Sequence, residues 1–329
     1  MIYLTKFNSI AEYEIYASTL DETNTPNVTS IANSVNVYSQ VYIPHNYAND
    51  YFTIVSLEGN NTIGWKAQNA NLLKTISIST DGGATWTSKE SSTAGTTLAT
   101  LNTGDKLLIK GSNTAYSNAS NYYNQFTATG NFNVEGNIMS MIYGDNFVNQ
   151  TTLSGDYTFQ RLFYKVTGLI NTENLILPAT TLASYCYQQM FNGCSSLTIA
   201  PELPATTLAK NCYSEMFQGC TSLTTAPKLP ATTLAAWCYS NMFRECTGLT
   251  TAPELPATTL ANQCYYSMFS NCTSLNYIKC LATDISATDC TINWVTVVAA
   301  TGTFVKAALT NWNTGTSGIP SGWTVQDAA

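Results

Sequence analysis

Hydrophobic and polar positions between residues 177 and 280 follow a pattern that returns four times. The first copy reads LPATTLASYCYQQMFNGCSSLTIAPE, residues 177–202, and near-identical copies begin at Leu203, Leu229 and Leu255. Within it Ala183, Cys186, Tyr187, Met190, Phe191 and Cys194 are spaced by three and four residues, the spacing of one helical face. The positions that differ between copies come in pairs. The first set is Ser184-Tyr185, Lys210-Asn211, Ala236-Trp237 and Asn262-Gln263, and the second is Gln188-Gln189, Ser214-Glu215, Ser240-Asn241 and Tyr266-Ser267. Both sets fall on the opposite face. Each copy is therefore predicted to be a short helix with an inward stripe, then an extended segment around SLTIAP and a turn marked by Pro201 and Pro204.

One 26-residue unit cannot bury such a stripe, whereas stacked units can. The period lies in the range of roughly 20 to 29 residues typical of leucine-rich repeats, and it predicts a solenoid. Thr180-Thr181 and Thr206-Thr207 then stack as ladders along its axis. Upstream, FQRLFYKVTGLINTENLILP aligns if Leu162-Phe163 takes the place of Met190-Phe191 and Val166 that of Cys194, a degenerate copy offset by 28 residues. Downstream, YIKCLATDISATDCTINWVTVVAATGTF reads as strand, loop, helix and strand, with Thr288 or Asp289 as the helix N-cap, Gly302 as its stop and Trp294 closing the last open face. Both ends are expected to be caps.

The first half has another character. Ser9 with Glu12 makes a capping-box pattern ahead of Ile10, Tyr13 and Tyr16, and NVTSIANSVNVYSQVYI alternates with period two around a turn at Asn33-Ser34. A helix and a hairpin are too small to stand alone. Between about 48 and 135 the strand candidates are YFTIVSL, NTIGWKA, TISIST, ATWTSK, DKLLIKGS and NQFTATGNFNV, which suggest a β-sandwich. STDGGATW, Ser79 to Trp86, matches the Asp-box pattern of sialidases. It occurs once, and the chain has only Arg161 and Arg244 to hold a carboxylate, so it reads as a hairpin whose Asp81-Gly82-Gly83 turn needs positive φ.

The expected organisation is thus multi-domain and β-rich: a helix-hairpin anchoring segment (1–47), a β-sandwich (48–135) and an α/β leucine-rich-repeat solenoid (136–329). The solenoid divides into a degenerate N-cap (136–176), repeats (177–280) and a C-cap (281–329).

Composition narrows the function. With 13 basic and 20 acidic residues the chain lacks the basic footprint of a nucleic-acid partner. No run of 18 apolar residues suggests a membrane span, and the N-terminus does not read as a signal peptide. All ten cysteines lie between Cys186 and Cys290, those of the four repeats in C-x7-C spacing with no histidine near, which argues against zinc. They are expected to be small buried hydrophobes in two ladders, with disulfides as the alternative. His45, the only histidine, reads as a surface residue rather than a base. Glu202 and Glu254 recur in one column with Lys228 between them, a solvated edge rather than an acid/base pair. No catalytic constellation and no cofactor motif is found, so a non-enzymatic protein is expected.

The recurring C-SL-x-x-AP-x-LPATTLA-x-x-CY-x-x-MF pattern, with the ending SGIPSGWTVQ, resembles the BspA-like leucine-rich-repeat proteins of gut Bacteroidetes and their phages, over residues from about 150 to the end. The start of the chain is similar to N-terminal segments of tail-fibre and other virion proteins of those phages. The resemblance implies a fibre-type protein of the virion surface, held to other virion proteins through residues 1–47, often as a trimer, and recognising a bacterial surface glycan or protein through its repeats. A cell-surface adhesin of the BspA type and a purely structural virion component are the alternatives. Tyr185, Asn211, Trp237 and Gln263, with Tyr266 beside the last, form the candidate ligand-binding column, since sugar recognition needs flat apolar faces beside amides. The other reading is that these positions vary for lack of constraint, with Trp237 flat against its neighbours.

Overall fold

The computed structural model describes residues 2–6, 27–28, 38–42, 45–119, 122–308 and 311–328. The chain divides into two compact units, Met1–Tyr47 and Ala48–Ala329. In the first, β1 (Ile2–Lys6) and β2 (Asn27–Val28) flank β3 (Tyr38–Tyr42), both antiparallel to it. The Ser9–Glu12 capping box and the Asn33-Ser34 turn lie outside the described residues.

The second unit is β-rich and opens with sandwich-like sheets. One sheet orders β10 (Ser117–Ala119), β11 (Tyr122–Ala128), β5 (Asn61–Ala67) and β8 (Thr96–Leu101). The other runs β13 (Leu169–Asn171), β12 (Phe132–Asn137), β4 (Phe52–Ser56), β9 (Lys106–Lys110), β6 (Thr75–Ser79) and β7 (Thr87–Glu90), with β14 (Leu175–Ile176) also on β12. Period-two burial drives these strands: Phe52, Ile54, Trp65, Ile109, Phe126 and Phe132 are fully buried between them. NQFTATGNFNV, read as one strand, is two, split at Gly130 between the two sheets. β8 escaped the sequence reading because TTLATL is mostly threonine and only Leu98 and Leu101 face inward.

The repeats are not helical. In each copy the segment expected as a helix is a ribbon of turns in which every fourth residue has positive φ: Tyr185, Gln189 and Gly193, then Asn211, Glu215 and Gly219. The same spacing recurs at 237/241/245, 263/267/271, 289/293/297 and, one copy earlier, 157/161/165. Hydrogen bonding alternates with residue parity. Gln188, Met190, Asn192 and Cys194 donate to the carbonyl three residues back, whereas Tyr185, Tyr187, Gln189, Phe191 and Gly193 donate to Lys210, Cys212, Ser214, Met216 and Gln218 of the next copy. An α-helix would send all these N–H groups four residues back. The left-handed residues turn half of them along the stack instead. The segment expected as a helix after Thr288 is another such ribbon, with Asp289, Asn293 and Val297 at positive φ.

Six ribbons therefore lie in series, and the 28-residue offset is seen directly, since Phe163 N donates to Met190 O. Between ribbons the chain pairs sparsely and in parallel, at Asn171–Ile199–Thr225 and Thr251–Tyr277 on one column and Thr152–Thr181–Thr207 on another. The core is two files of rings. One runs Phe163, Phe191, Phe217, Phe243, Phe269, with centroids 5.6–5.8 Å apart. The other runs Phe159, Tyr187, Tyr213, Tyr239, Tyr265, at 5.7–6.2 Å.

Both ends of this stack are closed. At the first ribbon, Tyr116 N and Phe126 N from the four-stranded sheet donate to Thr158 O and Leu162 O, while Phe126 stacks on Phe163 at 5.5 Å. At the last, both ring files end on fully buried Trp294. Trp312 stacks on the far side of Trp294 at 5.5 Å, and the Trp294 indole N–H donates to Gly318 O. Val295 N donates to Thr316 O and Asn293 N to Ser317 Oγ. A parallel sheet of β15 (Tyr277–Cys280), β16 (Thr303–Lys306) and β17 (Thr324–Asp327) completes this end.

All ten cysteines are free thiols. Nine, all but Cys290, are wholly buried, and burial pushes Cys194, Cys212, Cys264, Cys272 and Cys280 up to about 12. The second ladder has a directed bond: Cys194, Cys220, Cys246 and Cys272 Sγ donate to the carbonyls of Phe163, Phe191, Phe217 and Phe243 at 2.9–3.2 Å. A thiol both fills the site and satisfies the preceding coil's carbonyl, which alanine would not do.

Candidate recognition surface

The variable pairs of the ribbons form rows across the stack, but the second set does not lie wholly outward as expected, since Ser214, Ser240 and Ser267 are buried. Tyr185, Asn211, Trp237 and Gln263 stand in one column and every one has positive φ, between 55° and 62°. All four, and Tyr266, are half-buried. The structure lengthens the column at both ends. Tyr157 precedes Tyr185, their rings stacked at 4.6 Å and 10°, and Asp289 follows Gln263, whose Nε2 donates to Asp289 Oδ2 at 3.4 Å. Sequence reasoning passed over Tyr157 because its copy is offset by 28 residues, and took Asp289 for a helix cap. Burial, with Tyr185 and Asp156 close by, raises the Tyr157 hydroxyl above the usual phenol range.

Trp237 and Tyr266 meet across adjacent coils at 5.7 Å with planes inclined by 44°. In the next variable pair of the same ribbon, Asn241 Nδ2 donates to Ser240 Oγ at 3.0 Å while the buried Asn241 Oδ1 has no partner. The neighbouring row is knitted across coils: Arg161 Nε donates to Gln189 Oε1, and Gln189 Nε2 to Glu215 Oε2 at 2.7 Å. Gln160 Nε2 donates to Gln188 Oε1 at 2.6 Å. At Tyr157–Tyr185 the ring faces are spent on each other. Around Trp237 the inclined rings leave aromatic surface beside half-buried polar side chains, the kind of surface that suits the C–H faces and hydroxyl edges of a pyranose.

Two other sequence features are placed. The Asp-box stretch is the β6–β7 hairpin turn, with Gly82 and Gly83 at φ 73° and 93°. Asp81 binds its own loop, accepting from Ser79 Oγ at 2.7 Å, Thr85 N at 2.9 Å and Thr85 Oγ1 at 2.6 Å. These bonds hold its carboxyl well below the usual range. Lys110 Nζ lies 4.1 Å over the Trp86 ring and 2.7 Å from Asp145, which also accepts from the Tyr51 hydroxyl at 2.6 Å. The carboxylate pushes that phenol up to about 12. With lysine on its face, Trp86 clamps the hairpin to the sheet and is not a free platform. His45 is exposed, its ring against Tyr47 at 4.8 Å.

Among the described residues no cluster of three or more His, Cys, Asp or Glu is arranged to hold a metal ion, and no helix is long and apolar enough to cross a membrane. No family model, curated protein or solved structure matches the chain.

Proposed function

We propose that this is a non-enzymatic, fibre-type protein of a virion surface, in which residues 1–47 attach the chain to other virion proteins and a solenoid of BspA-like leucine-rich-repeat character carries the recognition surface. The ligand is a glycan on the host bacterium, laid along the Tyr185–Asn211–Trp237–Gln263 column with its firmest contact at Trp237, Tyr266 and Asn241. One observation carries the reading. Tyr, Trp and Gln occupy left-handed positions where glycine or asparagine is less strained by about 1–2 kcal/mol. Elsewhere on the ribbons the same conformation is borne by Gly193, Gly219 and Asn271 but also by Lys165, Glu245 and Val297, so what sets this column apart is its run of rings and amides. Strained, half-exposed aromatics in a column are a cost without return unless their side chains are used.

The test is binding of fluorescently labelled full-length chain to intact gut Bacteroidetes cells and to glycans released from them. The whole chain is needed because strands of the sandwich close the first ribbon. Tyr185→Asn and Trp237→Asn keep residues that tolerate the left-handed conformation. The double variant is expected to lose cell binding at least tenfold with a melting temperature that is not lowered. Equal binding by parent and variant would refute the column. Absence of binding by both would favour a structural component of the particle.

A further inference from the structure

On the far side of each coil, half a period from the ribbon, the chain turns at a Pro-x-Leu-Pro corner: Pro201–Pro204, Pro227–Pro230 and Pro253–Pro256. Successive corners enclose two hollows of about 380 and 390 Å³, the first lined by Pro201, Pro204, Pro227 and Pro230, the second by Pro227, Pro230, Pro253 and Pro256. The second residue of each corner forms a column, Glu202, Lys228, Glu254. The C-terminal cap extends it with Lys279, whose carbonyl accepts from Leu255 N and whose Nζ lies 2.9 Å from Glu254. The signs along the stack are minus, plus, minus, plus. Glu202 and Lys228 are exposed, and no ion pair joins them.

We propose that this edge docks a second copy of the chain, antiparallel to the first. The argument is one of period and sign. Neighbouring coils of a parallel β-stack lie about 4.8 Å apart, whereas an extended peptide presents same-face residues about every 6.8 Å. A column charged at the stack period is matched level by level by another such stack and not by a strand. With a two-fold axis between Lys228 and Glu254, Glu202 faces Lys279 of the other copy and Lys228 faces its Glu254, so all four levels carry opposite charges. In register and parallel, or gathered around a three-fold axis, each level would oppose like charges, which is unfavourable. Exposed ion pairs are individually weak. They set orientation here, while the exposed Pro204 and Pro230 rims supply apolar surface to bury.

The experiment uses Lys228→Cys and Glu254→Cys full-length chains, separately and mixed, under mild oxidation. The native thiols are buried and do not compete. A covalent dimer is expected only in the mixture. In sedimentation equilibrium, Lys228→Glu is expected to weaken self-association at least tenfold. The inverted column (Glu202→Lys, Lys228→Glu, Glu254→Lys and Lys279→Glu together) is expected to restore it. Cross-linking by either single variant alone would mean a parallel pair and overturn the proposal. So would no cross-link in the mixture, or an oligomer mass indifferent to both charge changes.

Discussion

Replacing Val297 with asparagine is expected to stabilise this protein, although it removes a hydrophobic side chain. Val297 has φ 57° and is 59 % exposed, so its methyls bury little while its branched Cβ crowds a left-handed backbone. Left-handed conformation costs an ordinary residue about 1–2 kcal/mol, and asparagine is among the residues that bear it best. Val297→Asn should therefore gain roughly 1 kcal/mol. The converse is Gly219→Ala. Gly219 has φ 74°, and a Cβ there would meet only Gly193 Cα at 3.6 Å and Gly193 N at 3.7 Å, both ordinary contacts. The cost is then conformational, about 1 kcal/mol in the other direction. Urea unfolding followed by far-ultraviolet circular dichroism reads both as shifts in midpoint at constant slope. In thermal melts each corresponds to about 2–4 °C in opposite directions. If Val297→Asn lowered the midpoint, or Gly219→Ala left it unmoved, the four-residue left-handed register would be wrong, and the strain argument for Tyr185 and Trp237 would fall with it.

The buried thiols make stability pH-dependent. Their folded pKa values lie above the ordinary 9.0, up to about 12 for Cys194 and Cys212, so the unfolded chain loses protons first. The contribution is intact below pH 9 and is lost as pH rises toward 12, at about 1.4 kcal/mol per pH unit for each thiol. Cooperative alkaline unfolding is expected between about pH 9 and 10.5, with thiolate absorbance appearing only as circular dichroism is lost; gradual thiol titration in a still-folded protein would contradict it. The hydroxyls of Tyr187, Tyr213 and Tyr239 are buried without partners, so Tyr213→Phe should be neutral or stabilising by about 1 kcal/mol in the same urea assay. A loss above 1 kcal/mol would mean that the hydroxyl is bonded in solution.

The sequence made most of the inside of each copy legible but not its backbone, and it misplaced Ser214, Ser240 and Ser267, expected outside and found buried, and Ala183, expected inside and only half-buried. Cys186, Tyr187, Met190, Phe191 and Cys194 are all wholly buried, as their spacing implied, and Phe163 lies on Phe191 as the longer offset implied. The helix failed for a geometric reason. In a helix a four-residue step overshoots one turn by about 40°, so from residue 186 to 194 the stripe drifts about 80°. That still fits an apolar face about 100° wide, and eleven residues cannot separate a period of 4 from one of 3.6. What decides between them is where the odd-numbered N–H groups go, and their acceptors lie one copy away, beyond the reach of any local propensity. A local trace existed: Gly193 and Gly219 fall four residues after Gln189 and Glu215 and eight after Tyr185 and Asn211. Read as a series, such glycines point to a left-handed site every fourth residue.

Alternate bonding within and between coils also separates framework from surface. Ribbon N–H groups are satisfied by the coil itself or by its neighbour, and the ring files and thiols occupy the interior, so the outward pairs carry little of the folding free energy. Sequence freedom at those positions is then what the architecture permits, and freedom alone would let the left-handed site drift toward the least strained residues, glycine and asparagine. At 193 and 219 it is glycine and at 271 asparagine, but at 165, 245 and 297 it is Lys, Glu and Val. In the column at 157, 185, 211, 237, 263 and 289 it is Tyr, Tyr, Asn, Trp, Gln and Asp. The backbone requirement alone therefore does not choose the residue, and what sets the column apart is that rings and amides follow one another along it.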